Sequence, residues 1–265
     1  MIPFLIAAAL QAAGPAAPPA DSEEGRYRAC LAGIRDNAER AVQSANDWRA
    51  QGGGVLARQC LGIAYSKLER WPSAATAFEQ GAADAEARQD PRVSDLWVQA
   101  GNAWLAAGDL PRARKALDAA LANPQLRAEL RGEAHLDRAR VAVGEGNDAA
   151  ARADLDKALE LVPADPFAWY LSAALARRER NLPRAKDDIA KAVELGGDDA
   201  SVLLEAGNIA GLAGEAEAAR GFWTRAVRAA PDSPAGRSAA AALAANGDDE
   251  GAAAAAEPTP APQPK

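Results

Sequence analysis

One spacing constrains this chain more than any other property: from Ala139 to Pro231 a helical pattern returns every 34 residues. Ala139, Ala173 and Gly207 are small residues, with 173−139 = 34 and 207−173 = 34. Ala151, Ala185 and Ala219 keep the same step, as do Leu155, Ile189 and Trp223, and then Ala158, Ala192 and Ala226. Small residues belong where two helices approach closely, and large ones where a side chain fills the gap between them. Each unit is therefore two helices joined by a turn. Self-similarity at a period of about 20–50 residues marks stacked repeats, in which no unit buries its own apolar face without a neighbour.

The template extends upstream with slips in register. Trp97, Ala100, Gly101, Trp104, Gly108, Ala113, Leu117 and Ala120 fill its slots in turn, and Leu61, Gly62, Tyr65, Trp71, Ala74 and Phe78 do so one unit earlier. Aligned on the small residue, the steps are 139−101 = 38 and 101−62 = 39. The four residues in excess of 34 in the first step are expected as a loop in the Ala122–Arg127 connection, which carries Asn123 and Pro124. This order of Trp, small-residue and Pro slots resembles the tetratricopeptide repeat (TPR) family, and the whole chain resembles exported bacterial TPR proteins. The resemblance implies an all-α fold: an α-solenoid, a right-handed superhelix of about five helix-turn-helix repeats over roughly residues 55–231.

The flanks depart from the pattern. Residues 1–13, MIPFLIAAALQAA, form a short apolar run with small residues at its end, and a Pro/Ala linker follows to Ala20. This has the form of a secretory signal peptide, too short to span a bilayer as a helix, and no later stretch is long and apolar enough to do so. Residues 21–54 carry two apolar stripes, one from Tyr27 to Ile34 and one from Ala38 to Trp48, ending at Gly52-Gly53-Gly54. They are expected as a degenerate capping hairpin, followed by the array and a closing helix at Ala235–Ala245, together spanning 55–245. From Asn246 to Lys265 there is no large apolar residue, and a disordered Pro/Ala tail is expected. Within the repeats, Asp109, Asn147 and Asn181 stand where a helix N-cap is needed, and Pro72, Pro111 and Pro183 stand in the first turn that follows.

Composition narrows the function classes. The net charge is −7 and the pI near 5.0, without the basic stripe of a nucleic-acid binder. His135 is the single histidine, so a Ser/His/Asp or Cys/His arrangement could be built only around it. It occupies the slot of Trp97 and Trp169 and is expected to pack. No GxxxxGK[ST] loop is present, and no CxxC pair, so neither a cofactor nor a metal is called for. Cys30 and Cys60, the only cysteines, form a disulfide if the chain is exported to an oxidising compartment, or else act as two buried thiols. The expected function is non-catalytic: an envelope adaptor, periplasmic or secreted, that binds a protein or peptide. The alternatives are a structural subunit that assembles with copies of itself and, for location, the cytoplasm.

The TPR resemblance implies that the first helix of each repeat lines a concave groove. Carried over slot by slot, it points to Gln59, Ile63 and Lys67; Val98, Asn102 and Leu105; and Glu133, Leu136, Asp137 and Arg140. The later repeats add Phe167, Tyr170, Arg177 and Arg178, then Leu204, Glu205 and Asn208. Asn102 and Asn208 stand where the family often places an Asn to hold a ligand backbone. Phe167 and Tyr170 beside Arg177 and Arg178 combine aromatic and Arg side chains, the make-up of a binding hot spot. The subgroup that clamps a C-terminal carboxylate needs Lys and Arg at slots that here hold Gln59, Glu133 and Asp137, so an acidic chaperone tail is not the expected ligand.

Overall fold

The computed structural model describes residue 19 and residues 21–246. The expected export segment and the Pro/Ala tail, apart from Pro19 and Asn246, lie outside the described residues. The described residues form thirteen helices and no strand. They are α1 (Glu23–Asp36), α2 (Ala38–Ala50), α3 (Gly54–Lys67), α4 (Trp71–Arg88), α5 (Val93–Ala106), α6 (Leu110–Ala122), α7 (Ala128–Gly144), α8 (Asp148–Leu161), α9 (Pro166–Arg178), α10 (Leu182–Gly196), α11 (Ala200–Leu212), α12 (Ala216–Ala229) and α13 (Pro234–Ala245). The chain divides into two compact units, one ending at Ala120 and one beginning at Leu121.

Local signals set the helix ends. Asn147 and Asn181 accept from the backbone N–H of Ala150 and Arg184, and Asp109 accepts from that of Arg112. Asp165, Asp199 and Ser233 do the same for α9, α11 and α13. First helices end at Gly108, Gly146 and Gly214, each with φ between +74° and +77°, a left-handed turn that glycine enters without strain. In the repeat between Gly146 and Gly214 this slot is held by Arg180, at φ +60°.

Packing within a repeat turns on two residues 16 apart: Gly62 and Phe78, Gly101 and Leu117, Ala139 and Leu155, Ala173 and Ile189, Gly207 and Trp223. A Cβ on Gly101 would lie 2.6 Å from Leu117 Cγ, and one on Gly207 would overlap the Trp223 indole. In the first unit α1 and α2 pack on α3, and α4 packs between α3 and α5. In the second, each helix from α7 to α13 packs on the next, and α11 also touches α9 and α13. Trp48, Trp104 and Trp223 are buried as expected of packing residues. Trp71, Trp97 and Trp169 are only half-buried, because the last two keep one edge of the indole outward for polar bonds: Trp97 donates to Glu86 and Trp169 to the Pro163 carbonyl.

The four extra residues before Ala139 do not form the expected loop. They lengthen α7 by a turn: it has 17 residues where α9 and α11 have 13. Gly132 directly follows that added turn, and a Cβ there would approach Val162 Cγ1 to 2.7 Å, so α7 closes against the end of α8. Arg131 secures the turn by donating to the Leu121 and Asn123 carbonyls at 3.0 and 2.7 Å.

Candidate functional site

In the second unit the first helices α7, α9 and α11 carry most of the expected groove residues. Phe167 and Tyr170, one turn apart on α9, stack with ring centroids 5.8 Å apart and planes at 23°. Phe167 is 43% exposed, high for a large apolar side chain. Arg140, from α7, lies with its guanidinium 5.9 Å from the Phe167 ring centre, within cation–π range, while donating to buried Asp137 at 2.9 Å. The structure therefore brings Asp137, Arg140, Phe167 and Tyr170 together.

The other two arginines behave differently from expectation. Arg177 donates its Nε to Glu205 of α11 at 2.5 Å, and Glu205 is buried. It is near enough to Tyr170 to act on its ionisation. Arg178, one position on, turns to Asp148 at the start of α8. The guanidinium over the aromatic pair is thus that of Arg140, because consecutive residues on a helix point about 100° apart and Arg177 and Arg178 cannot share one target. Asn208 uses its Oδ1 to accept from the Trp223 indole N–H at 3.2 Å, so this acceptor is held by the core.

Ionisation near the aromatic pair follows the local charge. Burial raises the Glu133 carboxyl above its ordinary value, and the neighbouring carboxylates Asp137 and Asp165 push it further, against Arg127. Tyr170 is likewise raised by burial and then by Glu205 and Asp199. Beside these groups lies a cavity of about 290 Å³ between α7 and α9, lined by Ala139, Val143, Leu155, Leu171, Ala174 and Leu175, with Arg140 and Arg178 completing its wall.

In the first unit Asn102 is exposed and lines an open cleft with Ile63, Ser66, Trp71, Phe78 and Gln99. Gln59 and Val98 are buried, and the Gln59 amide donates to Gln99 at 3.3 Å, so both serve packing. A larger cavity, about 480 Å³, lies between α1 and α2 against Asn37, Ala41 and Trp48. The Cα atoms of Cys30 on α1 and Cys60 on α3 are 6.4 Å apart, inside the span of a disulfide.

His135 Nδ1 meets Asp154 at 2.9 Å, and Arg138 binds the same carboxylate with two N–H groups at 2.9 and 2.7 Å. Burial alone would raise the Asp154 carboxyl, but the hydrogen bonds from His135 and Arg138 outweigh it and hold it below the ordinary range. This trio ties α7 to α8. A second polar set joins α8, α9 and α10: buried Ser172 accepts from Arg152 at 2.7 Å and donates to Asp188 at 2.5 Å. Among the described residues no group of three or more His, Cys, Asp or Glu is arranged to hold a metal, and no helix is long and apolar enough to cross a membrane.

Sequence reasoning missed Leu212, which is 59% exposed at the end of α11. The signal was present, since 212−178 = 34 puts it in the slot of Arg178. The α7–α9 cavity had no such signal, because Val143, Leu171 and Leu175 read as ordinary core positions.

No protein-family model and no curated protein matches this chain. Solved structures do. PilF of Pseudomonas aeruginosa is 18% identical with a TM-score of 0.68, over 83% of this chain and 96% of that one. PilW, a type IV pilus biogenesis factor, is 20% identical with a TM-score of 0.69, over 82% and 97%. YrrB, a TPR protein with an unusual peptide-binding site, is 17% identical with a TM-score of 0.53, over 80% and 98%. At these identities the likeness lies in the backbone. Helical hairpins at a 34-residue step, together with these shared backbones, establish the tetratricopeptide-repeat fold for this chain.

Proposed function

We propose that this protein is a non-catalytic adaptor that captures a peptide or helix of another protein on the α7–α9–α11 face of its second unit. The observation that carries the reading is the exposed Phe167 stacked on Tyr170, with Arg140 and Asp137 alongside. Exposed aromatic side chains flanked by Arg are the residue types that dominate binding energy at protein interfaces. Arg177, Arg178 and Asn208 on this unit are secondary contacts in this reading, and Asn102, in its own cleft on the first unit, is a separate candidate contact. Three features support an envelope location, periplasmic or secreted: the apolar start of the chain, the proximity of Cys30 to Cys60, and the backbone likeness to a pilus biogenesis factor. In that location Cys30 and Cys60 are bridged.

A photo-crosslinking residue placed at Phe167, with one at exposed Lys191 on α10 as reference, tests the site in the native envelope fraction. A discrete product from Phe167 that is absent from Lys191, and that Tyr170→Ala abolishes, supports capture on this face. Equal labelling from both positions, or none, refutes it. The exposed Leu212 favours a second reading, in which this end of the unit joins another copy of the chain. Light scattering separates the two, because a concentration-dependent oligomer abolished by Leu212→Ser supports self-assembly.

A further inference from the structure

We propose that the captured segment is basic: an Arg or Lys side chain of the partner lies on the Phe167–Tyr170 shelf, while an aliphatic side chain nearby fills the α7–α9 cavity. This rests on the adaptor reading above and adds the chemistry of its ligand. Phe167 presents open ring surface to solvent, and Arg140 already shows that a guanidinium can approach that ring. A cation is attracted to the face of an aromatic ring by the ring quadrupole, most strongly where water is displaced.

The charge around the shelf selects the sign of the ligand. Asp137 is paired with Arg140, and Glu205 with Arg177. Glu133, Asp165 and Asp199 then leave a surplus of negative charge that Arg127 only partly offsets. An incoming ammonium or guanidinium relieves this surplus, whereas an incoming carboxylate adds to it.

The cavity fixes the second feature of the ligand. Its wall is made of Val143, Leu155, Leu171 and Leu175, which suit an aliphatic side chain, and Arg140 borders both the cavity and the shelf, so the two are contiguous. From Phe167 to Ala174 the α9 axis advances about 10 Å. An extended peptide covers that distance in about three residues. The recognised pattern is therefore a basic residue and an aliphatic one about three positions apart.

The test is selection of a phage-displayed library of random dodecapeptides on the full chain at low salt, followed by fluorescence anisotropy of the enriched peptides. The expected result is enrichment of the basic and aliphatic pair. Glu133→Lys is expected to weaken binding about tenfold, as is Val143→Trp, which fills the cavity from a half-buried position. Circular dichroism of each variant checks that it remains folded. Enrichment of acidic peptides that still need Phe167, or tighter binding by Glu133→Lys, overturns the basic-ligand proposal and leaves the adaptor reading standing. Peptides whose binding is unmoved by Phe167→Ala, or no enrichment at all, remove the adaptor site itself.

Discussion

Gly207→Ala should destabilise this protein, although it exchanges a glycine inside a helix for the best helix former. The propensity gain in α11 is about 1 kcal/mol. Against it, the new methyl would overlap Cδ1 and Nε1 of Trp223, a ring only 6% exposed whose N–H is held by Asn208 at 3.2 Å. Overpacking a filled core costs about 1–3 kcal/mol, which leaves a net loss of about 1 kcal/mol. Trp223→Leu alone empties part of the core and frees Asn208, for a loss of about 2–4 kcal/mol. With the ring gone the methyl has room, so Gly207→Ala in that background should stabilise by about 1 kcal/mol. The double variant recreates the Ala/Leu pair of Ala139 and Leu155, and the coupling energy should be about 1–3 kcal/mol. Urea denaturation of the four proteins, followed by far-ultraviolet circular dichroism, measures this. If Gly207→Ala has the same sign and size in both backgrounds, the close-approach account of the small-residue slot is wrong.

Arg180→Gly should stabilise by about 1 kcal/mol, because it places glycine at the left-handed φ that Gly108, Gly146 and Gly214 occupy in other repeats. An unchanged or lower melting temperature would contradict this. Asp154, whose folded carboxyl lies below its unfolded value, contributes stability that is fully present above pH about 4 and is lost as pH falls through the folded value. Asp154→Asn should therefore lower stability at neutral pH and flatten the acid limb of a stability-versus-pH curve. An acid limb of unchanged slope would show that the His135–Asp154–Arg138 contact carries no such linkage. If Cys30 and Cys60 are bridged, alkylation without reductant should modify no cysteine and reduction should free two, with a loss of about 3–4 kcal/mol on the loop-entropy estimate. Two alkylatable thiols in the untreated exported protein would rule the bridge out.

The fold was legible because each repeat states its own geometry locally. Asn147, Asn181 and Asp199 start helices, Gly108 and Gly214 stop them, and the 16-residue pairing of small and large residues joins them. The turn added to α7 was not legible, since Asn123 and Pro124 read as a loop while Ala128, Glu129 and Leu130 fit a helix start equally well. The site was legible in outline only. The slots gave the face on which Phe167 and Tyr170 stand, but which guanidinium meets the rings depends on where each long side chain finds a carboxylate. Arg177 finds Glu205, and Arg140 is left beside Phe167. Pairings of that kind between residues about 28 positions apart in a folded chain leave no periodic mark.

The self-contained start and stop of each hairpin also bears on how such a chain could lengthen. A stretch duplicated in frame from Ala139 to Ser172 would carry its own Asn147 cap, Gly146 stop and Asp165-Pro166 opening into the next helix. Within each copy Leu155 would meet Ala139 as it does now, so each hairpin would bring its own filled interior. Growth by copying thus carries over the interior of each hairpin whole, and the duplicated surface residues are free to diverge toward a new ligand.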